Sequence, residues 1–325
     1  MSSLNISNKK KYLKKMFNLD SLATFVLSIL RLLLLLGLAF IIIFPLLSIT
    51  LTAFMRETDL YDPTVTWIPK NWTLFNFWAA YFTMDYPRAL WNTFSLTFLV
   101  SIAQLLSCTI VGYGFARFNI PFKKIAFGLV ILTLLVPPQV IMVPLYLNFR
   151  FFNIFGLLGE EGVDLINSYW PYALISLTGV GYKNGLFIYI MRQFFKGMPD
   201  TLEESAYVDG ATPLQTFFRI MLPGALPAII IVFLFAFVWQ WNDLFYFRLF
   251  LRNTGNYLSS NLLNIDPFEW YNEAFGSAGG AHIDRRFVSV VHNAGMLLVI
   301  SPLLILYMGL QRYFVESIER TGIVG

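Results

Sequence analysis

Six stretches of about twenty residues, nearly free of charge, leave this chain few ways to fold. They are Leu32–Phe54, Leu90–Phe115, Ile125–Tyr146, Tyr169–Met191, Leu226–Phe247 and Val291–Leu310, and the only charged residues inside them are Lys183 and Asp243. Each matches the length of helix needed to cross a hydrocarbon core about 30 Å thick. Lipid offers backbone groups no hydrogen-bond partner, so such runs must close their own bonds as helices. An enlarged soluble core would raise the apolar fraction without dividing it into bilayer-length runs. Composition agrees: 57% of the residues are hydrophobic, 13% are charged, and the mean hydropathy is +0.63. The expected fold is an all-α, polytopic membrane protein with about six transmembrane helices. The fourth stretch is expected to be broken, because Gly179, Gly181, Lys183, Asn184 and Gly185 interrupt it.

The net charge is +4 and the pI about 9.0, but the basic residues stand at the ends of apolar runs rather than in a nucleic-acid-binding patch. One side of the six spans would hold Lys9, Lys10, Lys11, Lys14, Lys15, Arg117, Lys123, Lys124, Arg192, Lys196, Arg219, Arg312 and Arg320. The other side mixes its basic residues with acids, so the positive-inside rule places both termini in the cytoplasm. The first apolar run is too long for a signal peptide and lacks a small-residue cleavage site, which makes it a retained span. Residues 1–31 then form a cytoplasmic segment, and 32–325 a transmembrane domain. Cys108 is the single cysteine, so there is no internal disulfide, and His282 and His292 form no ligand cluster, so no metal is expected.

Between the fourth and fifth stretches lies a polar segment, 196–223. Thr201 with Glu204 three residues later fits a capping box, Gly210 suits a left-handed helix end, and Pro213 suits the first turn of a second helix. Two short helices around a glycine would project from the membrane without a pocket of their own. Physics alone leaves a plain connector and a partner-docking element equally open.

The literal spacing adds more. Glu204-Ser-Ala206, three residues, Gly210, nine residues and then Ile220-Met-Leu-Pro223 resembles the EAA loop of binding-protein-dependent ABC importer permeases. Other segments resemble the carbohydrate-uptake branch of that family, with its maltose-permease-G-like subunits. They are Gly112-Tyr-Gly-Phe-Ala-Arg-Phe118, Pro137 with Pro144-Leu-Tyr146, Gly185-Leu-Phe187, Arg192-Gln-Phe-Phe195, Trp241-Asn-Asp243, Gln311-Arg-Tyr-Phe314 and Gly322-Ile-Val-Gly325. The resemblance covers most of the chain after residue 66. It implies the type I ABC importer permease fold and a place in the bacterial cell membrane. It also implies three partners: a cytoplasmic ABC ATPase dimer that binds ATP and Mg, a homologous second permease subunit, and an extracellular or periplasmic solute-binding protein. This chain would bind no cofactor and catalyse nothing, in keeping with the lack of a Gly-x-x-x-x-Gly-Lys-Ser/Thr phosphate loop. The residues implied in ATPase coupling are Glu204, Ser205, Ala206, Asp209, Gly210, Ile220, Leu222 and Pro223, with Glu204 making the charged contact. Serine at 205, where the pattern has alanine, is a small departure.

Polar and aromatic residues inside spans are costly in lipid and usually face a bundle interior, which makes Gln139, Lys183, Trp241, Asn242 and Asp243 candidates for the substrate path, alongside Gln104, Trp239 and Gln240. Aromatic faces stack on sugar C–H surfaces while amides and carboxylates bond hydroxyls. Against this stands a structural reading, in which the tryptophans anchor the interface and Asp243 caps a helix or pairs with Lys183 or Arg248. The Gly159–Asp164 stretch and the long segment Arg248–Val290 depart from the family pattern and could tune docking of a binding protein. The alternatives are an ABC permease for another solute class, a secondary transporter acting alone on Lys183 and Asp243, and a membrane enzyme, for which no catalytic constellation stands out.

Overall fold

A computed structural model of the chain describes residues 19–252, 256–268, 270 and 285–322. Among these residues the secondary structure is helical, apart from two isolated antiparallel bridges, Met55–Trp72 and Phe152–Val163. The principal helices are α1 (Leu19–Ala53), α2 (Tyr86–Arg117), α3 (Lys123–Leu135), α4 (Met142–Arg150), α5 (Trp170–Leu177), α6 (Asn184–Gly197), α7 (Thr201–Val208), α8 (Leu226–Trp241), α9 (Phe245–Phe250) and α10 (Arg285–Gly322). The N-terminal lysines, His282, residues 271–284 of the long fifth connection and the last three residues lie outside the described residues.

Among the described residues, three helices are long and apolar enough to cross a membrane by themselves: Ala23–Ala53, Tyr86–Arg117 and Arg286–Gln311. Two bent pairs raise this to five, Lys123–Leu135 with Pro138–Arg150 at 97° and Pro213–Gly224 with Leu226–Trp241 at 73°. The predicted fourth span is the remaining stretch, and it is divided between α5 and α6. The first span begins at Ala23 rather than Leu32, because the residues from Ala23 to Leu32 are uncharged except for Arg31 and continue the same helix. The 97° bend follows from Pro137 and Pro138: a residue before proline is driven out of the helical region, and Val136 ends α3 at φ −78°, ψ 116°.

The described residues fall into two compact units, one within Met1–Phe77 and His282–Ala294, the other within Trp78–Ala281 and Gly295–Gly325. In the first, the apolar surface of α1 is unburied by the protein itself, as suits a lipid-facing span. The carbonyls at the end of α1 are recovered by Asn76, whose amide donates to Ala53 O at 2.9 Å and Met55 O at 2.8 Å. Beyond it, the Asp59 carboxylate accepts from the Asn71 backbone N–H at 2.8 Å and its side-chain amide at 2.7 Å, closing the connection to residue 75.

In the second unit α2 is the central column, packed against α5, α6 and α8. Two glycines set how closely the helices approach. A Cβ on Gly112 of α2 would lie 2.6 Å from the Cβ of Met191 and 3.0 Å from the Arg192 backbone nitrogen on α6. One on Gly185 would lie 2.6 Å from Thr133 Oγ1 and 2.8 Å from the Val130 carbonyl on α3. Small residues at such crossings let backbones touch, which is how helices pack where lipid supplies no hydrophobic drive. Gly112→Val should therefore destabilise the protein by about 1–3 kcal/mol through overpacking. Gly114→Ala, whose Cβ would meet only Phe118 at 3.9 Å, should leave it unchanged. Thermal unfolding of the two detergent-solubilised variants checks this, and equal melting temperatures would refute it.

Candidate functional site

A helix broken inside a membrane exposes carbonyls and amides that need partners. Between α5 and α6 the chain turns through Gly179 at φ +77° and Lys183 at φ +66°. The released groups are met by side chains of α2. Gln104 Nε2 donates to Tyr182 O at 2.8 Å and to Asn184 Oδ1 at 2.7 Å, while Ser107 Oγ donates to Ser176 O at 2.6 Å. Asn184 Nδ2 reaches the same Ser176 carbonyl at 3.2 Å. This explains why buried polar residues stand in the middle of α2: they hold the break open as a fixed feature. Beside it lies a cleft of about 500 Å³, walled by the bend at Val136–Pro138 and Ile141 on one side and by Gly181, Tyr182, Lys183 and Tyr246 on the other.

The polar loop after α6 is built on a buried anchor. Tyr113 of α2 packs against Phe195 and Phe217, with ring centroids at 5.3 and 4.7 Å. Its hydroxyl donates to Glu203 Oε1 at 2.7 Å. The second Glu203 oxygen lies 3.4 Å from Arg117 Nε, and Arg117 also pairs with Asp200 and donates to Met198 O at 2.7 Å. Glu203 is 9% exposed, whereas Glu204, Ser205 and Asp209 are exposed. The two adjacent glutamates thus point opposite ways: one clamps the loop to α2, and the other stands free of any side-chain partner among the described residues.

The capping box expected at Thr201–Glu204 is not there. Asp200 holds the N-cap position in a helical conformation, its carbonyl accepting from the Glu203 and Glu204 N–H groups at 3.0 and 3.1 Å, so Thr201 is already the first helical residue, where its carbonyl accepts from Ser205 Oγ at 2.7 Å. The box forms instead at Thr212, whose Oγ1 accepts from the Gln215 N–H at 3.3 Å while Gln215 Oε1 accepts from the Thr212 N–H at 2.9 Å, around Pro213 in the first turn. Gly210, at φ +80°, makes the turn between the two short helices. Ala206 is buried, Ile220 lies in a π-helical turn over Phe217–Met221, and Leu222 and Pro223 lead into the 73° bend. Around Glu204, Val208 and Leu214 leave their side chains 87% and 71% exposed, an apolar surface on a polar loop.

The five substrate-path candidates are not brought together. Lys183 lines the cleft, its ammonium 5.1 Å from the Tyr182 ring centroid and 5.6 Å from that of Trp239. Gln139 is exposed on the turn Pro138–Ile141. Trp241 is buried and donates to Val299 O at 3.2 Å, and the Asn242 amide folds back onto Val238 O at 2.8 Å. Asp243 Oδ1 accepts from Phe245 and Tyr246 N–H at 3.1 and 3.2 Å, capping the start of α9 rather than pairing with Lys183 or Arg248. Sequence reasoning missed Glu203 and Tyr113; a Tyr–Arg pair four residues apart at the end of α2 facing a Glu-Glu step was the available signal. The Gly159–Asp164 stretch folds over Phe152, where Gly162 sits at φ +70° and Arg150 pairs with Asp164.

Residues 108–320 match the family model described as binding-protein-dependent transport system inner membrane component. The chain is 28% identical over 294 residues to the osmoprotective compounds uptake permease protein GgtD of Synechocystis sp., covering 87% of this chain and 88% of that protein. It is 28% identical over 293 residues to the arabinooligosaccharides transport system permease protein AraQ of Halalkalibacterium halodurans, covering 88% and 93%. Its fold resembles a chain in the crystal structure of a bacterial ABC transporter involved in the import of the acidic polysaccharide alginate, with a TM-score of 0.68 at 18% identity over 90% of this chain and 98% of that one.

Removing one partner of a buried ion pair strands the other charge, at a cost of about 3 kcal/mol or more. Arg117→Ala should therefore loosen the loop, accelerating tryptic cleavage after Lys196 and after Arg219, the basic residues at its two ends, about tenfold or more. Tyr113→Phe, which deletes one hydrogen bond and keeps the aromatic packing, should produce a smaller increase. Limited proteolysis in detergent reads both, and unchanged cleavage in Arg117→Ala would refute the clamp.

Proposed function

The chain belongs to the family of binding-protein-dependent transport system inner membrane components, and on that premise we propose that it is the sugar-importer permease subunit that converts closure of a separate ATPase pair into alternating access. It is a multi-pass membrane protein. The observation that carries the coupling role is the pairing of a buried Glu203 clamp with an exposed Glu204 one residue on. A loop that transmits movement needs one face fixed to the spans and another free for the motor, and these adjacent carboxylates serve the two needs.

In this reading ATP and Mg are bound by the partner ATPase, and this chain catalyses nothing. Both termini face the cytoplasm with the coupling loop, where Glu204, Asp209 and the exposed apolar side chains of Val208 and Leu214 meet the ATPase. Ser205 and Ala206 allow close approach, Gly210 gives the turn, and Ile220, Leu222 and Pro223 carry displacement into α8. A second, homologous permease completes the pathway, and a solute-binding protein delivers substrate to the outer face near Gly159–Asp164. Sugars are favoured because relatives are named for arabinooligosaccharide, galactooligosaccharide and lactose transport. The relative named for osmoprotective compounds keeps another solute class as the second reading.

Glu204→Lys should abolish solute uptake and co-purification of the ATPase while leaving the chain in the membrane at normal abundance. Transport at the wild-type rate by that variant would sink the coupling role. Purification of the unaltered chain from native membranes with no ATPase attached would sink the importer reading itself.

A further inference from the structure

Lys183 is the one cation inside the predicted spans, and the structure leaves it without a carboxylate partner among the described residues. The 14 residues of α6 separate it from Gly197, about 20 Å of helix, so its ammonium lies well away from that end of the stretch. The acid within the predicted spans, Asp243, turns one carboxylate oxygen to the start of α9 and makes no ion pair with Lys183. A lysine ammonium within an apolar span is costly. The faces of Tyr182 and Trp239 return part of that cost through cation–π attraction. The remainder is the kind of deficit that a bound anion offsets. Lys183 also holds φ +66°, a backbone region costly for a side-chain-bearing residue, at the wall of a cleft.

That cleft has a volume of about 500 Å³, within the range of small-ligand sites, and its wall combines apolar residues with two tyrosines in edge contact, Tyr182 and Tyr246, whose ring centroids lie 5.8 Å apart. We propose that the cleft between the bent third span and the broken fourth is a subsite for a saccharide bearing a carboxylate, with the Lys183 ammonium as counter-ion and the tyrosine rings as surfaces for the sugar's C–H face. The inference rests on the sugar-importer reading and adds the charge of the substrate to it. An acidic sugar is drawn to this cleft by charge, whereas a neutral one gains only the ring contacts.

The test uses the whole transporter purified with its bound partners and matched probes: galactose against galacturonate, and cellobiose against cellobiouronate. Quenching of tryptophan fluorescence should show each uronate binding about tenfold tighter than its neutral counterpart, with the difference shrinking as potassium chloride is raised. Lys183→Met should bring the ratio close to one, and Lys183→Arg should preserve it. Should the methionine variant fail to assemble, acetylation of Lys183 in the unaltered complex, followed by mass spectrometry, supplies the same answer: galacturonate should slow it and galactose should not. Equal binding of acidic and neutral probes, an undiminished preference in Lys183→Met, or equal acetylation with both sugars overturns the inference. The ATPase in the same preparation separates the two readings. If it is present and the uronates are not preferred, only the charge assignment falls; if it is absent, the importer reading falls and the inference with it.

Discussion

The hydrogen bonds between α2 and the interruption of the fourth span are the interaction on which the second unit depends. In water a broken helix is repaired by solvent; within a bilayer the freed carbonyls of Ser176 and Tyr182 must find protein donors. Gln104, Ser107 and Asn184 supply them. With those groups satisfied, the chain can turn inside the membrane, Lys183 can stand at the turn, and a cleft can form against the proline bend of the third span. Gly112 brings α2 close to α6, and Gly181, where a Cβ would lie 3.3 Å from Gln104 Nε2, leaves room for the amide to reach the break.

The same central helix reaches the coupling loop. At one level of α2, Gln104 and Ser107 hold the break; three turns further on, Tyr113 and Arg117 hold Glu203 and the start of α7. A rigid helix that bonds to both places gives the loop and the cleft a shared support, and α6 joins them directly by covalent continuity from Lys183 to Lys196. Movement imposed on the loop thus meets a continuous packed structure rather than a flexible tether.

Much was legible in the sequence because lipid imposes coarse rules. Bilayer-length apolar runs specify helices, Pro137-Pro138 specifies a break, and Gly210 specifies a left-handed turn, each through local sterics or local solvation. The spacing from Glu204 to Pro223 marked the loop without any structure. Local reasoning failed where two readings share the same local chemistry. Thr201 and Thr212 both precede helix-forming residues with Glu or Gln three positions on, but Asp200 holds the N-cap position and Thr201 is already inside the first helix, so only Thr212 became a cap.

The sequence by itself determined that this chain is helical and membrane-spanning, where its fourth stretch breaks, and which polar loop resembles the EAA loop, because these follow from composition and spacing along the chain. Tertiary structure alone decided which polar residues are structural and which stand at a surface. Glu203 and Glu204 are chemically identical neighbours, and only the position of Arg117 and Tyr113, some ninety residues away in sequence, makes one an anchor. Likewise Trp241 and Asp243 are as suited to a solute path as Lys183 by residue type, but packing turns the Trp241 indole N–H to Val299 and one Asp243 oxygen to the start of α9. Partner geometry across long sequence separations is what distinguishes them, and no local pattern encodes it.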